Sequence, residues 1–91
     1  MRVELKKFGL ILTSRPSGRE AFLAAQSYLL PKNAKEIVEI NFTGVAVLSP
    51  SWADEFLTPL KKKYGQNLKL LPTNNQSVRE TLKTIGLDGM N

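Results

Sequence analysis

The 91-residue sequence contains no cysteine and no histidine. Their absence excludes disulfides, thiol nucleophiles, zinc sites built from nitrogen and sulfur, and every Ser-His or Cys-His catalytic pair. Apolar runs are short, and none approaches the roughly 20 residues needed to span a bilayer. The start, Met1-Arg2-Val3-Glu4, lacks the apolar core and cleavage pattern of a secretory signal, so a cytoplasmic location is expected. A glycine-rich phosphate loop is missing too. Acidic residues are dispersed except for adjacent Asp54 and Glu55, which on a helix point about 100° apart and clamp a metal poorly. The expectation is a non-enzymatic protein with no metal and no cofactor.

What is present suits one small domain over residues 1–91, because a chain of this length buries a single core. Thirteen Lys and Arg against eight Asp and Glu leave a formal charge of +5, which raises nucleic acid, an acidic protein face or a phosphate as partners without choosing among them.

Along the chain, Val3 and Leu5 share one parity and Phe8, Leu10 and Leu12 the other, with Gly9 near the change. This pattern predicts two short strands or one bulged strand. Residues 14–18 read as a turn, and Ser17 with Glu20 as a capping box opening a helix that ends before Pro31. Its apolar face would comprise Phe22, Leu23, Ala25, Leu29 and Leu30. Ile37, Val38, Ile40 and Phe42 predict a central strand, and Gly44 a turn from which Val45, Val47 and Leu48 re-enter the core. Ser49 as N-cap and Pro50 at the first helical position start a second helix, its stripe carried by Ala53, Phe56, Leu57, Leu60 and Tyr64. Pro59 inside it predicts a kink between Glu55 and Pro59. A strand with Leu68, Leu70 and Leu71 follows, then a polar turn over residues 73–76 that caps a third helix carrying Val78, Leu82 and Ile85. Gly86-Leu87 reads as its C-cap, and residues 88–91 as a loose tail. The fold class is therefore α/β, with a mixed, mostly parallel sheet of about four strands and three helices on one face.

The stretch 41–57, NFTGVAVLSPSWADEFL, resembles the strand, loop and helix start of STAS domains of the anti-sigma factor antagonist type. Closer still is the resemblance to STAS-like domains of unknown function. It is carried by Ser14-Arg15 before the first helix, by Phe42-Thr43-Gly44-Val45, and by Ser51-Trp52-Ala53-Asp54-Glu55. The resemblance implies a regulatory module that binds a protein partner, of the histidine-kinase-like ATPase kind, with Ser51 at the position that antagonists present for phosphorylation. The chain departs from antagonists in having Ser49 and Pro50 before that serine, and Trp52 where they have glycine.

The candidate partner-binding residues are Ser49, Ser51, Trp52, Asp54, Glu55 and Arg15. Serines at a helix start also satisfy orphan backbone donors with no further role. Arg15 is expected to pair with Asp54 or Glu55 at the carboxyl rim of the sheet, where such folds bind ligands. Trp52 lies one position off the apolar stripe, which places it either at the surface for a partner or beneath the first helix. The alternative function is a basic nucleic-acid-binding domain using Arg2, Lys6, Lys7, Lys61, Lys62, Lys63 and Lys69. Nucleic acid is the less favoured partner, because no aromatic residues interleave with basic ones along a strand and cations suit a helix C-terminus.

Overall fold

A computed structural model describes residues 1–89. Strand β1 (Arg2–Glu4) pairs in parallel with β3 (Val38–Asn41), and β3 with β5 (Leu68–Leu70). A second parallel pair joins β2 (Ile11–Leu12) to β4 (Val47–Leu48). Helices α1 (Arg15–Tyr28), α2 (Pro50–Tyr64) and α3 (Gln76–Thr84) follow β2, β4 and β5. The α/β class, the three helices and the parallel pairing match the expectation, while the strands among the described residues number five and fall into two groups.

The two groups form one ladder broken in the middle. Beyond the Glu4–Asn41 pair the next pair is Ile11–Val47, so the first chain segment spends one more residue crossing the break than the second. A 3-10 turn over Leu5–Phe8 interrupts one side. On the other, the N–H of Val45 donates to the carbonyl of Phe42 (3.1 Å), with Gly44 at a φ of 92° that other residues rarely adopt. The parity change in the first thirteen residues records this break, which resolves it as two strands.

Burial alternates along the lower half. Val3, Val38, Ile40, Leu68 and Leu70 face the helices. Arg2, Glu4, Glu39, Asn41 and Lys69 alternate with them on the open face, where Arg2 pairs with Glu39 (3.5 Å) and the amide of Asn41 donates to Glu4 (3.0 Å). Three helices cover one face and leave the other to solvent, because apolar residues occupy only alternate positions.

Strand β5 is too short to follow β4 past the break, since Pro72 ends it. Side chains around the start of α3 occupy the free edge of β4 in its place. The hydroxyl of Ser77 accepts from the Leu48 N–H (3.1 Å), and Thr81, buried, donates to the Leu48 carbonyl. The amide of Asn75 donates to the carbonyls of Val45 (2.8 Å) and Ala46 (3.1 Å), while its oxygen caps α3 at the Val78 N–H (3.0 Å). The expected polar cap is thus also a clamp on the sheet. At the other end of α3, Leu87 donates back to Leu82 (2.8 Å) behind Gly86, the glycine C-cap that was expected. Of the tail, Asp88 and Gly89 form a turn, and residues 90 and 91 lie outside the described residues.

Several local expectations are corrected. α1 starts at Arg15, because Ser14 caps it by accepting from the Ser17 N–H (3.2 Å) and Pro16 fits the first turn, where its missing N–H costs nothing. The supposed turn is therefore helix, and the Ser17–Glu20 box is not used. Leu23, Ile37 and Val47 are exposed, Val47 because it alternates with buried Leu48. Pro59 lies inside α2, as read from the sequence, and leaves the Glu55 carbonyl without its helical donor. No helix among the described residues is long and apolar enough to cross a membrane.

α1 and α2 meet closely at their first turns. A Cβ built on Gly18 would lie 2.5 Å from the Trp52 carbonyl oxygen and 3.0 Å from its Cα, so only glycine lets the backbones approach this far. Beneath this crossing Trp52 stacks on Phe56 (centroids 5.0 Å apart), and Phe8 tilts against Phe56 at 5.2 Å. Gly18→Ala should destabilise the domain by about 1–3 kcal/mol despite alanine's better helix propensity. Urea unfolding checks this, and an unchanged or raised midpoint would contradict the close approach.

Candidate functional site

The paired tips of β2 and β4 launch α1 and α2 side by side. The Ser49 N–H donates to the Leu12 carbonyl (2.9 Å), and its hydroxyl donates to the Thr13 carbonyl (2.7 Å) while accepting from the Trp52 N–H (3.2 Å). Ser49 therefore caps α2 and ties it to the start of α1. Its hydroxyl is occupied by structural work and is a poor candidate for modification.

Ser51, two residues on, differs. It is half-buried in the first turn of α2, and among the described residues its hydroxyl makes no hydrogen bond. Its helical neighbours three and four positions on are Asp54 and Glu55, so the three side chains share one side of α2. Arg15 reaches across from α1 to this side. One guanidinium nitrogen contacts Asp54 Oδ2 at 3.1 Å and Glu55 Oε2 at 2.7 Å, the pairing expected from the sequence. Arg19 lies 3.9 Å from the other oxygen of Glu55, a contact the sequence reading missed. Its spacing from Arg15, one helical turn, was the available signal once α1 is capped by Ser14 and started at Arg15.

The electrostatics follow from these contacts. The hydroxyl of Thr58, donating to Asp54 at 2.8 Å, and secondly Arg15 hold the Asp54 carboxyl below its ordinary value of 3.8. Hydrogen bonds to Glu55 and then Asp54 raise Arg15 further. Two carboxylates thus face two guanidinium groups, and the cluster is solvent-accessible, so it orients the helix starts more than it stabilises the fold. The carboxylate oxygens are engaged by Arg15, Arg19 and Thr58, and no group of three acidic residues among the described residues could hold a metal ion.

Trp52 requires correction as a partner-binding residue. It is 1% exposed, packed under the first turn of α1 in the aromatic cluster, and offers a partner no surface. Its position one step off the helical stripe is reached by α1, which widens the buried face of α2. Ser51, Asp54, Glu55 and Arg15 come together at the rim, with Ser49 as their support.

The cations of the alternative reading are distributed over four elements. Arg2 is paired with Glu39 on β1, Lys6 and Lys7 sit in the 3-10 turn, Lys61, Lys62 and Lys63 end α2, and Lys69 lies on β5.

A family model described as a STAS-like domain of unknown function matches residues 26–90. Searches of curated proteins and of solved structures gave no match. The matched stretch contains Ser49, Ser51, Asp54 and Glu55, whereas Arg15 and the β2 strand precede it.

A folded pKa lowered below the unfolded one contributes stability that is present above the unfolded value and lost as pH falls through the folded value. Asp54 should therefore support stability at neutral pH and cease to do so on acidification from about pH 4 downward. Asp54→Asn should lose less stability than wild type between pH 7 and pH 3. Urea midpoints at both pH values test this, and equal losses would show that Asp54 is not held in the ionised form.

Proposed function

The chain belongs to this family of STAS-like domains, and we propose that it is a non-enzymatic regulatory module of the cytoplasm that binds a protein partner at the rim where α1 and α2 start. The observation that supports this best is the division of labour between the two serines. Ser49 is consumed by capping, while Ser51 presents an unengaged hydroxyl beside an arginine already shared between two carboxylates. A histidine-kinase-like ATPase is the partner kind that the antagonist resemblance suggests.

Phosphorylation of Ser51 is the regulatory extension of this reading. A phosphate there adds roughly −1.5 to −2 charge, is favoured by the dipole at the start of α2, and is repelled by Asp54 and Glu55. It would compete with those carboxylates for Arg15 and Arg19. The rim would then exchange one arrangement of charges for another with the core unmoved.

Retention of host proteins on the immobilised chain tests the proposal. Wild type should retain a specific protein, Ser51→Asp should lose it about ten-fold or more, and Ser51→Ala should keep it. Phosphate on Ser51 of the chain recovered from its host would support the switch. Equal retention by wild type, Ser51→Asp and Arg15→Ala would place the binding elsewhere on the molecule.

A further inference from the structure

The open face of the broken ladder changes character at the break. Below it the outward positions are polar, with Arg2, Glu4, Glu39, Asn41 and Lys69 paired or bonded among themselves or solvated. Above it the outward residues are Ile11 and Val47, 67% and 39% exposed and directly paired across β2 and β4, with Leu10, 58% exposed, beside them. Exposed apolar residues scattered singly need no explanation, but a directly paired couple beside an open strand edge does.

One edge of this patch is open. The carbonyls of Leu10 and Leu12 accept from the β4 side, from Ala46 and Ser49, so in a parallel ladder the N–H and C=O of Ile11 between them point the other way. Among the described residues β2 pairs with β4 alone. The opposite edge, that of β4, is closed by Asn75, Ser77 and Thr81. Charge then selects the occupant. Lys6 and Lys7 sit in the turn leading to Leu10, Lys6 lying along Gly44, and neither forms an ion pair among the described residues. Asp54 and Glu55 are already matched by Arg15 and Arg19, so the surplus charge around β2 is positive. A second copy docked in parallel on this edge would bring Lys6 and Lys7 of both copies together, which disfavours that self-pairing.

We propose that the outer edge of β2 is the docking strand for an acidic, extended segment of the protein partner. That segment adds to the ladder as a strand beside β2, sets its outward apolar side chains against Ile11, and turns its Asp or Glu residues toward the turn that carries Lys6 and Lys7. This rests on the partner-binding reading above and places the main contact on β2, with Ser51 at its flank.

The test is selection of random dodecapeptides displayed on phage against the immobilised full chain, followed by fluorescence anisotropy with the enriched peptides. Enriched peptides should alternate apolar residues and carry net negative charge. Ile11→Lys, and separately Lys6→Glu with Lys7→Glu, should each weaken them by about ten-fold or more, while circular dichroism and thermal melts show the fold unchanged at these exposed positions. Tyr28→Ala, at an exposed position at the far end of α1 away from both rim and edge, should leave peptide affinity within about two-fold. Enriched peptides without acidic residues, or peptides indifferent to Ile11→Lys, overturn the proposal. So does a dimer in sedimentation equilibrium that Ile11→Lys dissolves, because the occupant would then be a second copy. A host protein retained equally by wild type and Ile11→Lys overturns the docking edge and leaves the partner-binding reading standing; no retained protein and no enriched peptide overturn both.

Discussion

Two cross-strand pairs, Ile11 with Val47 and Leu12 with Leu48, hold the part of the molecule that carries the rim. Both helix starts leave from the ends of these two-residue strands, so the site exists only if the short ladder keeps its register. Two residue pairs alone make a marginal ladder. Burial supplies most of what is missing, since Leu12 and Leu48 are 2% and 1% exposed and each contributes about 1.5–3 kcal/mol by leaving water. Hydrogen bonds supply specificity. Leu48 is held from one side by the ladder and from the other by Ser77 and Thr81, so it cannot slip by one residue without exposing its side chain and orphaning buried polar groups.

The larger elements were legible in the residues because each rested on a local physical rule. α2 announced itself through Ser49, Pro50 and the spacing of Ala53, Phe56, Leu57, Leu60 and Tyr64, and the structure uses every one of them. The Arg15 pairing was legible because a parallel sheet gathers helix starts at one rim. What escaped was set by contacts between elements. Ser14 and Ser17 are both plausible caps, and the choice depends on where β2 ends and how close Gly18 must come to Trp52. Val47 looks like a core residue by type and faces solvent because it alternates with buried Leu48. The role of Asn75, Ser77 and Thr81 as a substitute strand edge has no local signal, since polar residues at a helix start are already explained by capping.

Trp52 shows how one substitution of size is absorbed elsewhere. In the pattern that the chain resembles, the residue after the serine is small; here it is the largest side chain, and it is fully buried. α1 covers it closely, because Gly18 lacks the Cβ that would otherwise strike the Trp52 backbone. Phe8, from the turn that breaks the ladder, and Phe56 close the cluster around the indole. The turn at the break and the glycine in α1 thus both contribute to enclosing the same side chain.

That burial limits how the rim could transmit a signal. Moving Trp52 outward would forfeit about 3–5 kcal/mol of packing, comparable to the whole stability of many small domains, so a switch built on its displacement would unfold the site it regulates. The Arg15 fork is under no such constraint. Its partners are only partly buried, its guanidinium is shared between two carboxylates, and Arg19 stands within reach of the same Glu55. A charge added at Ser51 can redistribute these contacts by side-chain rotation alone, at a cost small beside the core. If the domain switches, the physical economy of the structure puts the switch in surface electrostatics and leaves the β2–β4 ladder beneath it as a fixed platform.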